Sequence, residues 1–284
     1  MIVWVASYPK SGNTFLRILL SDYLYGDLSS EYNFSDLNKI GMFPNLFGFN
    51  PLLDENIITD ISELKEIKYL YKYSLFLQKK LFSRGLHFLK THSCNFNFNN
   101  NIFTNNEITS CAIYLVRDPR NVLYSYSDYQ DVSLDIIYKE LTTEIIQSQK
   151  YKNNWYPICH MGSWQSNFNS WKKSQIFFPV KIIKYEELIS NTHQVFFEIL
   201  KFLSKHTNIE LNIFKMNSVI KRTKFNNLKK LEEKGLFKEV NETNFKHKFF
   251  NLGLERNWKN NIEGNNYTKI ISDSFKNELE ILGY

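Results

Sequence analysis

The chain begins with an unbroken apolar run, after which apolar positions recur at helical spacing. Residues 2–6 are continuously apolar, and residues 2–7 are typical of a strand buried on both faces of a sheet. Residues 13 to about 25 predict a helix. The same two patterns alternate along the rest of the chain, around a loop-like stretch at 27–60. They predict strands at Leu86–His92, Cys111–Val116 and Val180–Tyr185, and helices at Ile61–Phe82, after Pro119, and at Leu134–Gln149, Ser163–Lys173, Thr192–Leu203 and Asn265–Leu282.

Strands that alternate with helices predict an α/β fold with a central parallel sheet flanked by helices on both faces. We find no linker composition and no internal repeat, so the sequence predicts a single domain over residues 1–284. In sheets of this kind ligands bind at the carboxyl ends of the strands. Three of the predicted strand ends carry polar residues of chemical interest, at Lys10, His92 and Arg117.

Composition excludes few classes of function. The net charge of +6 is compatible with anionic small molecules, nucleic acid or a membrane surface. Three widely spaced cysteines, Cys94, Cys111 and Cys159, suggest reduced thiols and neither a disulfide framework nor zinc. No apolar run reaches the ~18 residues of a membrane span, and the polar stretch from residue 7 breaks the N-terminal run, so we expect a cytoplasmic protein without a signal peptide.

The first polar group is the loop between the first strand and the first helix, Lys10-Ser11-Gly12-Asn13-Thr14. A strand, a tight loop and a helix start form a phosphate cradle, because backbone N–H groups and the positive end of the helix macrodipole face an anion. The spacing G-x-x-x-x-G-K-[ST] of a Walker A loop cannot be laid on this segment. The loop therefore predicts a phosphate-bearing ligand other than ATP.

The other two groups supply a second phosphate clamp and a base. Arg117 follows the third strand, and Ser125 lies two turns into the next helix, so a guanidinium and a hydroxyl are available to one phosphate. Lys90-Thr91-His92 ends the second strand, where a histidine is a general-base candidate because its pKa lies near operating pH.

Taken together, these motifs resemble the cytosolic-type sulfotransferases, which use 3′-phosphoadenosine 5′-phosphosulfate (PAPS). Residues 8–15 are similar to the family pattern Tyr-Pro-Lys-Ser-Gly-Thr-Thr-Trp, the Arg117 to Ser125 spacing is kept, and Lys-Thr-His is present at 90–92. Four further segments match in order, namely Gly162-Ser163-Trp164, Tyr185-Glu186-Glu187-Leu188, Thr223-Lys224-Phe225 and the stretch from Gly253 to Asn260.

The resemblance implies a role for each matching position. His92 would be the general base, Lys10 would stabilise the leaving group, and Lys90 would contact the sulfuryl group or the bridging oxygen. The donor would be bound by Lys10, Ser11, Gly12, Asn13, Thr14, Phe15, Arg117, Ser125, Tyr185, Thr223, Phe225, Gly253 and Arg256. No metal is implied, since cations of the protein supply the positive field. The acceptor could be a small molecule, glycan, lipid or peptide, and no nucleic-acid partner is expected.

The sequence also departs from the family pattern. Asn251 and Leu252 stand where the family has an Arg-Lys pair for the 3′-phosphate, and Phe15 stands in place of a Trp. The family's Lys-x-x-x-Thr-Val-x-x-x-Glu dimer motif is absent after Trp258, where Glu263-Gly264 occupies the Thr-Val places, so the oligomeric state stays open. Two alternative functions also stay open, a P-loop kinase-like phosphotransferase and a non-catalytic nucleotide- or RNA-binding protein.

Overall fold

The first strand, β1 (Ile2–Ser7), is buried at each of its six residues, as its unbroken apolar run predicts. In the computed structural model it belongs to a four-stranded sheet with β2 (His87–Thr91), β5 (Thr109–Val116) and β8 (Val180–Lys184), in the order β2-β1-β5-β8. β1 and β2 run parallel, with Ile2 opposite His87 and Ala6 opposite Thr91. The sheet is central, parallel and flanked by helices, so the predicted fold class is confirmed.

The structure describes residues 1–151, 153–237, 250, 258–260 and 265–284. The helices there are α1 (Asn13–Tyr25), α2 (Asn50–Asp54), α3 (Ile67–Phe82), α4 (Pro119–Gln130), α5 (Leu134–Thr142), α6 (Trp164–Lys173), α7 (Tyr185–Ser190), α8 (Thr192–His206), α9 (Ile213–Arg222), α10 (Phe225–Glu233), α11 (Asn265–Ser274) and α12 (Lys276–Leu282). Two antiparallel hairpins pair β3 (Asn97–Phe98) with β4 (Asn101–Ile102), and β6 (Ile146–Tyr151) with β7 (Asn154–His160).

The chain folds into two compact units, each built from segments that are separate in the sequence. Unit 1 contains Met1–Tyr8, Gly41–Tyr114 and Thr143–Ile182, and unit 2 contains Pro9–Ile40, Leu115–Thr142 and Ile183–Tyr284. Unit 1 therefore holds most of the sheet, both hairpins, α3 and α6. Unit 2 holds α1 and the remaining helices from α4 onward, apart from α6. That the chain is a single domain stays a prediction.

Unit 1 has an aromatic core centred on Trp4 of β1. The Trp4 ring lies 5.2 Å from Phe103, 5.9 Å from Phe43 and 6.4 Å from Trp171, measured between centroids. Its indole N–H donates to the Thr109 hydroxyl at 3.1 Å, so the buried polar atom of this large side chain is satisfied. This packing fixes the strand whose carboxyl end leads into the loop that was predicted to bind phosphate.

Unit 2 has its own apolar cluster, on the inner face of α1. Its buried members are Ile18, Tyr32, Phe34, Leu37, Leu228, Phe237 and Phe250. Phe34 stacks on Phe250 at 6.1 Å and lies 4.8 Å from Phe237. Phe15 and Phe225, two of the predicted donor-binding residues, are partly buried against this same cluster.

The predicted helix Leu134–Gln149 is wrong beyond Thr142. Residues 146–151 instead form β6, whose backbone pairs with β7 from Ile146 opposite His160 to Gln149 opposite Tyr156. Gln and Lys are good helix formers, but helix propensity is a weak preference, and pairing with an antiparallel partner strand overrides it here. The other differences are smaller: Ile61–Phe82 divides into a 3₁₀ turn at Ile61–Leu64 and α3, and Asn265–Leu282 divides into α11 and α12.

The sequence also predicted reduced cysteines and no membrane span. Cys94, Cys111 and Cys159 are buried free thiols, as expected for reduced cysteines. Within the described residues, none of the helices combines the length and the apolar character needed to cross a bilayer.

Candidate active site

The loop between β1 and α1 has an unusual backbone at two positions. Gly12 caps α1 with φ 93° and ψ 10°, and Lys10 also has a positive φ of 62°. Both values lie in the left-handed region, which glycine adopts without steric cost and lysine does not. The loop delivers the chain to the N-terminus of a 13-residue helix, where N–H groups and the macrodipole favour an anion.

Close packing of Tyr185 against the loop explains why position 12 is glycine. A Cβ atom built on Gly12 would lie 2.2 Å from Cδ2 of Tyr185, far inside van der Waals contact. Tyr185 is the first residue of α7, and burial raises the pKa of its hydroxyl. The Arg117 guanidinium lies 4.5 Å from the centroid of the Tyr185 ring, and its Nη1 donates to the carbonyl oxygen of Lys10 at 2.9 Å.

These contacts close a ring of four predicted site residues within unit 2: Lys10, Gly12, Tyr185 and Arg117. We refer to Arg117 and Tyr185 together as the loop brace. Arg117 is only 5% exposed, so its guanidinium is held deep in the unit and is not a mobile surface cation. The structure thus places a residue predicted for the second phosphate directly on the backbone of the first phosphate loop.

Other loop side chains suit an anion ligand. The Ser11 hydroxyl is fully buried and has no hydrogen-bond partner within the part of the chain that the structure describes. Such an atom is costly unless a ligand or water satisfies it. Asn13 and Thr14 are buried in the first turn of α1, and the Lys10 ammonium lies 4.0 Å from the centroid of the Tyr129 ring. The loop therefore fits a phosphate group.

The remaining predicted donor-binding residues of unit 2 are more scattered. Ser125 is buried on α4. Thr223 is buried at the end of α9, where its hydroxyl donates to the Val219 carbonyl at 2.7 Å. Phe15 and Phe225 present their partly buried rings at the aromatic cluster described above. Gly253 and Arg256 lie outside the described residues, as do Asn251 and Leu252.

His92 belongs to unit 1, where it follows β2. Its Nδ1 lies 2.6 Å from the carbonyl oxygen of Ser7, at the end of β1. A carbonyl oxygen only accepts, so Nδ1 carries the hydrogen, and in the neutral ring Nε2 holds the lone pair. The Ser7 hydroxyl lies 3.4 Å from the same nitrogen. This tautomer is the one that a base acting through Nε2 requires.

Lys90 lies two residues before His92 on β2. Its backbone N–H donates to Gly41 and its carbonyl accepts from Phe43, both at 2.8 Å, so a second segment holds this end of the strand. Burial raises the pKa of the Cys159 thiol to about 12, and the charge of Lys90 opposes that rise. The Lys90 ammonium therefore lies within electrostatic reach of the end of β7, in the same unit as His92.

Sequence reasoning missed the residue that fixes the backbone of His92. The Asn167 side-chain amide donates to the carbonyls of His92 at 2.8 Å and Met161 at 2.7 Å, and its oxygen accepts from the Tyr114 hydroxyl at 2.9 Å. Trp171 adds a bond from its indole to the Ser93 carbonyl at 2.9 Å. A signal was present, since Asn167 falls on the apolar stripe of α6 that carries Trp164 and Trp171, and a polar residue there is expected to be buried and bonded.

A second missed group surrounds Asp118, at the start of α4. Its carboxylate caps the helix, accepts from the Arg120 guanidinium at 2.8 Å and accepts from the Trp258 indole at 3.1 Å. The Arg120 guanidinium in turn lies 4.4 Å from the Trp258 ring, and the Trp258 backbone N–H donates to Asn121. Trp258 of the last family motif is therefore held against the segment that begins with Arg117.

Over the described ranges, no three or more His, Cys, Asp and Glu side chains are gathered in a way that could hold a metal ion.

Comparison with known proteins identifies the class. The model of the sulfotransferase domain family matches residues 2–280, nearly the whole chain. The chain therefore belongs to the sulfotransferase family, and the predicted enzyme class is confirmed. The family match favours sulfuryl transfer over the kinase-like and non-catalytic alternatives.

Solved structures with the same fold are distant in sequence. Retinol dehydratase in complex with androsterone and the inactive cofactor PAP has a TM-score of 0.60 at 15% identity, over 98% of this chain and 80% of that chain. Retinol dehydratase with retinol and PAP has a TM-score of 0.61 at 15% identity, over 98% and 81% of the two chains. The mouse sulfotransferase SULT7A1 complexed with PAP has a TM-score of 0.51 at 16% identity, over 97% and 85%. A comparison with curated protein sequences found no match.

Proposed function

We propose that this protein transfers a sulfuryl group from PAPS to an acceptor hydroxyl or amine, with His92 as the general base. The observation that carries the proposal is the 2.6 Å contact between His92 Nδ1 and the Ser7 carbonyl. It directs the lone pair to Nε2, and it holds the ring at the carboxyl end of the sheet, where ligands of parallel sheets bind.

In this mechanism the acceptor oxygen attacks the sulfur atom while His92 Nε2 takes the acceptor proton. A new S–O bond forms, and the bond between sulfur and the 5′-phosphate oxygen of the donor breaks. The products are the sulfated acceptor and adenosine 3′,5′-bisphosphate (PAP), and His92 then returns its proton to solvent. Ser7 keeps its role throughout, because its carbonyl stabilises the protonated ring as well as the neutral one.

Negative charge develops on the leaving phosphate, and the loop is suited to stabilise it. The helix N-terminus at Gly12 and the side chains of Ser11, Asn13 and Thr14 would hold the phosphate, and Lys10 would supply a full positive charge. Lys90 would contact the sulfuryl group. Removing one such stabiliser typically lowers the rate by about 10²–10³.

The donor's other groups are assigned to the remaining residues of unit 2. Arg117 and Ser125 would bind the 3′-phosphate, and Phe15, Tyr185, Thr223 and Phe225 would surround the adenine. The presence of PAP in three solved relatives of the same fold supports this donor. Gly253 and Arg256 stay predictions for the same site, outside the described residues.

The acceptor is proposed only by class. The solved relatives include complexes with retinol and androsterone, both small molecules, and this favours a small-molecule hydroxyl first. A glycan, lipid or peptide acceptor is tested next, and no nucleic-acid partner is proposed.

The test combines binding and turnover. We expect PAP to raise the melting temperature of the protein by several degrees and ADP to raise it far less, because ADP lacks the 3′-phosphate. With labelled PAPS and a panel of phenols, sterols, sugars, lipids and peptides, we expect release of PAP with label transferred to one class. Equal shifts with PAP and ADP, or no transfer and no binding of PAP, would contradict the proposal.

A further inference from the structure

We propose that Arg117 is a positioning residue for the 5′-phosphate loop as well as a ligand of the 3′-phosphate, and that Tyr185 is its partner in this role. The two phosphate sites would then be coupled through the loop brace. This inference rests on the proposed function for the identity of the ligand, and on the contacts of unit 2 for the coupling itself.

The hydrogen bond to Lys10 is the first step of the argument. Lys10 has a φ of 62°, a left-handed conformation that is unfavourable for a non-glycine residue. Such a conformation persists only where surrounding contacts hold it. The Arg117 Nη1 bond to the Lys10 carbonyl, at 2.9 Å, is a charge-assisted contact on that residue's own peptide group.

The packing of Tyr185 is the second step. Its ring packs against Gly12, and the guanidinium carbon of Arg117 lies 4.5 Å from the ring centroid. The ring thereby limits the movement of Gly12 and fixes the guanidinium plane. The loop, the ring and the guanidinium therefore move together, and a displacement of one displaces the others.

The consequence is a coupling between ligand groups. A 3′-phosphate that binds Arg117 orders the guanidinium, and this in turn orders Lys10 and Gly12 for the 5′-phosphate. Ser125 on α4 would also bind the 3′-phosphate, but it makes no bond to the loop. Binding of the phosphate at Ser125 therefore does not order Lys10 and Gly12. By linkage the coupling is reciprocal, so a 5′-phosphate also favours binding at the 3′ site.

The ligand experiment separates the two roles of Arg117. Titration calorimetry measures the affinity of 5′-AMP, 3′-AMP and PAP for the wild type, Arg117→Met and the matched control Ser125→Ala. We expect Arg117→Met to weaken both 3′-AMP and 5′-AMP, the latter by about fivefold, the net worth of one hydrogen bond. Ser125→Ala should weaken 3′-AMP and leave 5′-AMP within about twofold. Unchanged 5′-AMP affinity in Arg117→Met would overturn the coupling.

The ligand-free experiment uses amide hydrogen exchange of residues 10–14, the loop residues that carry a backbone N–H. Arg117→Met and Tyr185→Ala should exchange about fivefold faster there, whereas Tyr185→Phe, which keeps the ring, and Ser125→Ala should match the wild type. Residues 192–206 of α8 report global unfolding. Faster exchange confined to the loop supports the brace, and an equal increase in α8 or no increase in the loop overturns it.

The two proposals fail separately. If the wild type binds no PAP, the proposed function fails, and the exchange experiment still decides whether the brace holds the loop. If the wild type binds PAP and Arg117→Met affects only 3′-AMP, the proposed function stands and the coupling does not.

Discussion

In unit 2 the residues of the Lys10–Gly12 loop indicate its shape, which Arg117 and Tyr185 then hold, whereas in unit 1 no neighbouring residue in the sequence indicates what positions His92. The loop needs two left-handed residues and the absence of a Cβ beneath Tyr185. The backbone of His92 instead depends on Asn167, 75 residues later, and the adjacent Ser93 on Trp171, 78 residues away. The loop proposed to bind phosphate can therefore be recognised from a few residues, while the position of the proposed base His92 is visible only in the assembled fold.

The largest effect is expected from removing the base. His92→Ala should lower kcat by about 10²–10⁴, the usual contribution of general acid–base catalysis, while the affinity for PAP stays within about twofold. The exposed His193 on α8 supplies the control, since His193→Ala should leave both values unchanged. Steady-state kinetics measures kcat, and titration with PAP measures the affinity. Transfer at the wild-type rate by His92→Ala would remove His92 from the mechanism.

The second-largest effect is expected from adding a side chain at Gly12, in the loop of unit 2. Gly12→Ala adds a methyl group 2.2 Å from the Tyr185 ring at a residue with φ 93°, so it combines a clash with backbone strain. We expect a loss of about 2–5 kcal/mol in the free energy of unfolding and at least tenfold weaker PAP binding.

The control for this prediction is Gly235→Ala, because Gly235 also has a positive φ, of 73°, but an added Cβ would meet nothing within 4 Å. Strain alone should cost about 1–2 kcal/mol there and leave PAP binding intact. Urea unfolding measures both variants. If the two substitutions cost the same, packing on Tyr185 is not what selects glycine at position 12.

A third effect tests how far His92 depends on the fold around it. Asn167→Ala removes the donor to two buried carbonyls and should cost about 2–4 kcal/mol of stability, with a several-fold lower kcat and little change in PAP affinity. Tyr114→Phe removes only the hydroxyl that donates to Asn167 and should cost about 1 kcal/mol. An unchanged kcat in a folded Asn167→Ala protein would show that His92 is positioned without it.

The smallest effect concerns His160, which ends β7 in unit 1. Burial lowers its pKa from the ordinary 6.5, and its ring nitrogens face the Tyr71 hydroxyl at 2.7 Å and Glu144 at 3.2 Å. Because the folded state resists protonation, the stability that the neutral ring contributes is complete above pH 6.5 and is lost as the pH falls below that value towards the lowered pKa.

The measurement is the free energy of unfolding at pH 7.5 and pH 5.5. His160→Gln cannot titrate, so its loss of stability on acidification should be smaller than that of the wild type. His193→Gln, at an exposed position, should behave as the wild type. An identical acid loss in His160→Gln and the wild type would assign the pH dependence to other groups.

Features of the molecule that are encoded by neighbouring residues could be predicted from the sequence, and features that depend on distant contacts could not. β1, α1 and the strand ends were predictable because continuous apolar runs and helical spacing record burial directly, and Gly12 records its own φ. The β6–β7 hairpin was not, because Ile146 to Tyr151 is a strand only by virtue of its partner β7. The roles of Asn167 and Asp118 were also missed, since each depends on contacts between segments that the sequence keeps apart.

By itself the sequence determined the α/β class and the family, and it predicted the phosphate loop, because these depend on local periodicity and on short motifs whose chemistry is complete in itself. The tertiary structure alone decided the tautomer of His92, which a backbone carbonyl of β1 sets. It also decided that Arg117 bonds the loop and stacks on Tyr185. Hydrogen bonds and ring contacts of this kind are short-ranged, and only folding brings Ser7 to His92, or Arg117 to Lys10, within about 3 Å.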